Sequence, residues 1–155
     1  MYSVARRLAL SQQGVLYVWG GESPAGYDCS GLVQAAYRAA GINLPRVAQE
    51  QFDAGPHLPA NAQLQAGDLV FFGYSPGEVE HVGIVMRPGV MVDAPYPGTV
   101  VRTDSFPVPR SAKSYLGATR PAAGARPWAP AYTRIRLRGM STRPLSICCW
   151  NRAGR

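Results

Sequence analysis

Tyr17-Val-Trp-Gly-Gly21, a turn-rich spacer, and then Asp28-Cys-Ser-Gly-Leu-Val-Gln-Ala-Ala-Tyr37 decide how this chain is read. Leu32, Val33, Ala36, Tyr37 and Ala40 recur at helical spacing and form one apolar face. Gly41 supplies a C-cap, and Pro45 forbids continuation. Cys29 therefore stands at the first turn of a buried helix. There the unpaired backbone N–H groups and the positive end of the helix dipole favour thiolate over thiol. The thiolate is the nucleophilic form. Glycines at 20, 21, 26 and 31 permit close backbone approach, as a substrate cleft would need. The plain alternative is that Cys29 is a small buried hydrophobe at the start of a core helix.

Further along, Arg46 to Ala54 reads as a second helix, with Val47, Gln51 and Ala54 in register, closed by Gly55-Pro56. Gly67-Asp68 is a turn. Leu69 to Phe72 is a continuous apolar run, as a fully buried strand would be. Gly73 to Glu80 reads as a polar loop. His81 then opens a strand in which Val82, Ile84 and Met86 alternate with Gly83 and Val85. Arg87-Pro88-Gly89 is a turn, and Val90-Met-Val92 returns. A hairpin there brings Asp93 within a residue or two of His81 across the ladder, where a carboxylate can fix the imidazole tautomer. The plain alternative for Asp93 is a strand-end turn residue before Pro95. Val100 to Thr103 and Tyr115 to Arg120 are further strand candidates, and residues 3–13 read as a short helix carrying Val4, Ala5 and Leu8 on one face. Trp19 is assigned to packing. Tyr27 could line a cleft. His57, beside Pro56, is given no role.

The order of these pieces resembles the NlpC-type cysteine peptidases, a family of bacterial cell-wall endopeptidases. The resemblance is carried by Tyr17-Val-Trp-Gly-Gly21, Asp28-Cys-Ser-Gly-Leu-Val33, Gly67-Asp-Leu-Val-Phe-Phe72 and His81-Val-Gly-Ile-Val-Met86. It spans about residues 3 to 121. It implies an α+β, papain-like fold, with the nucleophile at the N-terminus of a central helix packed on an antiparallel sheet. It implies amide hydrolysis through a thioester, with Cys29 as nucleophile, His81 as base, Asp93 as orienting group and Tyr17 as a donor to the oxyanion. Asp28 and Ser30 are expected to hold the free amine of a peptidoglycan stem peptide, although Asp28 is also a common helix N-cap residue. The bond implied joins D-glutamate to a diamino acid. A secreted or wall-associated location follows from the same resemblance. Two other readings fit the fold: a non-catalytic wall-binding module, and a related thiol amidase or acyltransferase.

Charge divides the 155 residues in two. Residues 1–121 contain nine Lys/Arg and all nine Asp/Glu, so they are neutral. Residues 122–155 contain seven arginines and no acid, so the whole formal charge of +7 lies there. We expect a peptidase domain over 1–121 and a poorly ordered basic tail over 122–155. That tail suits an anionic wall polymer, or is simply solvated; a polyanion-binding role is the third reading. No nucleic-acid partner or cofactor is expected, and no metal, because no Cys/His set has zinc-ligand spacing. Cys29, Cys148 and Cys149 show no disulfide framework. No apolar run approaches membrane-spanning length. No signal peptide is visible, since Arg6-Arg7 is followed only by Leu8-Ala-Leu10 before Ser11-Gln-Gln13. A monomer is expected.

Overall fold

The computed structural model describes residues 2–106 and 114–121. The expected tail over 122–155, its strand-like stretch Tyr132 to Leu137 and the pair Cys148-Cys149 lie outside the described residues. The elements are α1 (Tyr2–Ser11), β1 (Glu22–Ser23), β2 (Gly26–Tyr27), α2 (Cys29–Ala39), α3 (Ala48–Ala54), β3 (Leu69–Ser75), β4 (Glu78–Arg87), β5 (Val90–Asp93), β6 (Arg102–Ser105) and β7 (Ser114–Thr119). β1 and β2 form a small antiparallel ribbon. The other strands form one antiparallel sheet in the order β6-β5-β4-β3-β7. The helices pack on it chiefly through β4, with α1 lying against α2. The architecture is the expected α+β, papain-like one.

The apolar run at 69–72 is explained by burial on both faces of the sheet. Leu69 and Phe71 join Val82, Ile84 and Val92 in the core shared with Leu32, Val33, Ala36 and Tyr37 of α2. Val70 and Phe72 point the other way, into a second core with Val85, Met91, Phe106 and Ala118. Side chains alternate faces along a strand, so a doubly covered strand has no polar positions. Each such fully buried side chain contributes about 1.5–3 kcal/mol relative to exposure.

Several expectations shift. Helix α1 buries Ala5 and Ala9 fully, with Leu8 partly buried against the same core, because two small residues one turn apart let its backbone approach α2. Arg46 and Val47 are not helical: Val47 is the extended N-cap of α3. The polar stretch 73–80 is not a loop. β3 continues to Ser75 and β4 begins at Glu78, with register shifts at Gly73. His81 is consequently the fourth residue of β4, not its first. The strand expected at 100–103 begins two residues later, at Arg102, while Val100 bridges Leu16. Trp19 is 48% exposed, so it is not a core residue; it lies in the turn ahead of Gly20, whose φ is +73°. Tyr27 is buried rather than lining a cleft.

The glycines near Cys29 also serve a different purpose from the one expected. A side chain at Gly31 would collide with the Gly21 carbonyl oxygen and with Asp28 Oδ1, and one at Gly21 would meet Gly26 backbone. The close approach is of backbone to backbone, where the loop crosses the first turn of α2. Gly31→Ala should therefore destabilise the domain by about 3 kcal/mol, since the obstructing atoms are backbone and cannot rotate away. Chemical denaturation read by circular dichroism checks this; a variant as stable as wild type would mean that the loop is free to move.

Candidate active site

Cys29 is the first residue of α2 and is fully buried. Asp28 precedes it in extended conformation and caps the helix, its Oδ1 accepting from Gly31 N at 2.7 Å. The same carboxylate accepts from Gly20 N at 3.1 Å, Ser30 Oγ at 3.3 Å and two nitrogens of Arg46 at 3.0 and 2.8 Å. Arg46 also donates to Ser30 Oγ at 2.9 Å and pairs with the exposed Glu22 at 3.1 Å. Gln51, buried on α3, donates to the Ser30 carbonyl at 3.0 Å and to the Pro45 carbonyl at 2.8 Å. Thus both residues flanking the nucleophile are fixed from the 45–51 segment. Asp28 and Ser30, expected to meet a substrate amine, are 0% and 1% exposed and turned to Arg46. An incoming ammonium group would have to displace the guanidinium.

Tyr17 reaches the same place through backbone pairing. Val18 N donates to the Tyr27 carbonyl at 3.0 Å, Tyr27 N to the Leu16 carbonyl at 3.2 Å, and Tyr17 N to the Thr99 carbonyl at 2.9 Å. The segment is thereby stitched beside the strand that leads into Asp28 and Cys29. Tyr17 is itself buried.

His81 is fully buried on β4, the strand against which α2 packs. Its Nε2 lies 2.6 Å from Asp93 Oδ2, and Asp93 is 1% exposed. The pairing expected from the hairpin is present in spite of the short side chain. Phe72 lies beside the imidazole, with ring centroids 6.0 Å apart. Burial pushes the Asp93 carboxyl above its ordinary value, the His81 hydrogen bond pulls it down, and the negative charge of Asp104 pushes it up. The Cys29 sulfur is held in a disulfide in this structure, against the expectation of none. Thiol chemistry at Cys29 belongs to the reduced protein.

Two supporting residues were not singled out from the sequence. Arg46 follows a proline and reads as the start of a helix; its signal was the need of a buried N-cap carboxylate for a cation. Gln51 was placed in register on the apolar side of α3, and an amide there signals a buried hydrogen-bonding task. Among the described residues, no group of three or more His, Cys, Asp or Glu is placed to hold a metal ion. No helix among them is long and apolar enough to cross a membrane.

A helix-borne cysteine, a sheet-borne histidine and a buried carboxylate place the chain in the papain-like fold class. Within that class the chain belongs to the NlpC/P60 family, which residues 14–120 match. It is 45% identical over 96 residues to the bifunctional muramidase/DL-endopeptidase CwlT of Bacillus subtilis, covering 60% of this chain and 29% of that protein. It is 40% identical over 101 residues to the peptidoglycan endopeptidase RipB of Mycobacterium tuberculosis, covering 57% of this chain and 41% of RipB. The chain thus spans less than half the length of these curated relatives. The solved structure of RipB superposes with a TM-score of 0.66 at 35% identity, covering 77% of this chain and 63% of that one. RipD of Mycobacterium tuberculosis, described as a non-catalytic NlpC/p60 domain protein adapted to peptidoglycan binding, superposes with a TM-score of 0.65 at 28% identity, covering 77% and 95%.

Removing Arg46 leaves the Asp28 carboxylate buried with its backbone and hydroxyl donors only. Arg46→Met should therefore lower the unfolding free energy by about 2–4 kcal/mol, toward the range for breaking a buried pair. Arg46→Lys should recover part of that loss. Equilibrium urea unfolding checks it, and a methionine variant of unchanged stability would show that solvent compensates Asp28.

Proposed function

We propose that this chain is a cysteine endopeptidase that hydrolyses an amide bond in peptidoglycan stem peptides. The observation that carries the reading is the buried 2.6 Å contact of His81 Nε2 with Asp93 Oδ2, on a strand packed against the helix that begins with Cys29. The names of the relatives CwlT and RipB support the substrate class. In the reduced protein the Cys29 thiolate attacks the carbonyl, and His81 takes the thiol proton and returns it to the leaving amine. Asp93 holds the imidazole tautomer and steadies the imidazolium as it forms. Tyr17 and the Cys29 backbone N–H stabilise the oxyanion. Water then cleaves the thioester. The bond between D-glutamate and the diamino acid is the one the family resemblance favours. Because Asp28 and Ser30 already serve Arg46, their role in this reading is to fix the nucleophile's turn.

Digestion of purified peptidoglycan under reducing conditions, with mass analysis of the fragments, tests the proposal. Cys29→Ala should abolish product formation while the melting temperature changes little, since only one buried sulfur is lost. Full activity in the folded alanine variant would remove Cys29 from the chemistry. Wild-type protein that binds the polymer and releases nothing would favour the second reading, a non-catalytic binding module like RipD. Retention of both Cys29 and His81 argues for catalysis.

The basic segment 122–155 fits retention on an anionic wall polymer, with residues 1–121 as the catalytic unit. All proposed catalytic positions precede it. Truncation after Pro121 should leave turnover of soluble stem peptides unchanged and weaken retention on whole cell walls at low salt. Added salt should erase that difference, since exposed charges are screened within about 10 Å at 0.1 M. Pelleting assays across a salt series read the second effect, and loss of the melting transition on truncation would place part of 122–155 in the folded unit.

A further inference from the structure

Helix α3 touches both halves of the proposed site. Gln51 donates to the Ser30 carbonyl beside the nucleophile. Gln49, two residues earlier and so about 200° away around the helix, meets the hairpin that leads to His81. Its Oε1 accepts from Val79 N at 2.9 Å, and its Nε2 donates to the Pro76 carbonyl at 2.9 Å. Nε2 also donates to Asp53 Oδ1 at 3.0 Å, one turn further along α3. The partners fix the orientation of the amide: turned over, its oxygen would face two acceptors and its NH2 a donor.

The hairpin needs such a restraint. From Leu69 to Phe72 the pairing of β3 with β4 is regular, and Phe72 opposite His81 is the last regular pair. Gly73 then pairs with Val79, so Glu80 is an extra residue on β4; Ser75 pairs with Glu78, so Tyr74 is an extra residue on β3. Val79 and Val82 lie in the same helix-side core although they are three apart along one strand. The bulge at Glu80 allows it, since neighbours otherwise alternate faces. A side chain at Gly73 would collide with the Glu78 carbonyl oxygen, so the two backbones run close together here. A bulge disrupts the ladder locally, and Gln49 supplies the acceptor for the Val79 N–H. The regular alternative sets Glu80 opposite Gly73. It would carry Val79 to the other face and move the backbone next to His81.

We propose that Gln49 is a positioning residue of the catalytic site: by bridging the Val79 N–H and the Pro76 carbonyl it holds the β3–β4 bulge in one register, and so fixes where His81 stands relative to Cys29. The inference rests on the reading of His81 as the base. Gln49 and Gln51 together make α3 a spacer between the strand of the base and the turn of the nucleophile.

The test uses the full reduced chain and three readouts: amide hydrogen exchange, the nitrogen-15 signals of the His81 ring, and kcat and KM on a stem peptide. Gln49→Met keeps the bulk of the side chain and loses both bonds to the hairpin; Gln49→Ala loses the bulk as well. In both variants the Val79 amide should exchange about tenfold faster while Leu32 and Val33 in α2 keep their rates, because only the hairpin is released. The His81 ring signals, one sharp set in wild type, should broaden as the ring samples more than one position. The kcat should fall about tenfold with KM nearly unchanged, since Gln49 acts on the base and not on bound substrate. A methionine variant with wild-type kcat overturns the proposal, as do unchanged Val79 exchange or unchanged His81 signals. Acceleration of the α2 amides to the same degree overturns it too, since Gln49 would then stabilise the domain as a whole. Wild type inert on every stem peptide would refute the hydrolase reading separately, and the exchange rates and His81 signals would still decide whether Gln49 fixes the strand of the base.

Discussion

The carboxylate of Asp28 is the constraint on which the site depends. It is 0% exposed, and an ionised carboxylate taken out of water costs several kcal/mol unless donors replace the lost solvent. The donors come from three stretches of chain: Gly20 N from the loop, Ser30 Oγ and Gly31 N from the first turn of α2, and the Arg46 guanidinium from the segment before α3. Arg46 is held in turn by Glu22 and the Gly21 carbonyl. Cys29 lies inside this ring of contacts. Its place is therefore fixed by polar pairing on the loop side and by apolar packing of α2 on the sheet side. A reacting atom needs that kind of support, because small misplacements of a nucleophile are costly in rate.

A second constraint is that β4 must serve both sides of the sheet. It pairs with β3 and β5, and α1, α2 and α3 all pack on it. Val82 and Ile84 belong to the helix-side core, while Val85 belongs to the opposite one. The strand that carries His81 is thus paired on both edges and covered on both faces, and the histidine is 0% exposed. In a site of low dielectric the contact with Asp93 has more electrostatic weight than it would at the surface.

The legible parts of the sequence were those with a local physical cause. The start of α2 at Cys29 followed from an N-cap residue and a helical apolar period. The β4–β5 hairpin followed from Pro88-Gly89 between alternating apolar runs, and Gly89 has φ +78° as such a turn requires. The hidden parts depend on distant partners. Glu78 and Glu80 read as loop, yet they lie in a strand because backbone pairing with β3 tolerates polar side chains at the end of the sheet. Arg46 read as a helical residue, since nothing nearby in sequence announces that its partner is eighteen residues back. Gly31 read as cleft-forming, since composition cannot distinguish a backbone that approaches substrate from one that approaches another loop.

The sheet register shows how a short carboxylate meets His81. The paired residues are Ile84 and Val92. One step further along an antiparallel ladder sets Asp93 opposite Gly83, and His81 diagonal to it on the same face. A diagonal neighbour is ordinarily too far for a two-carbon acid to touch when the directly opposed position carries a side chain. Position 83 carries none. The space above Gly83 is taken by the Met91 side chain, whose sulfur lies 2.5 Å from where a Cβ would stand, and the Asp93 carboxylate reaches Nε2 at 2.6 Å beside it. A side chain at position 83 would displace Met91, which packs on the face that His81 and Asp93 share.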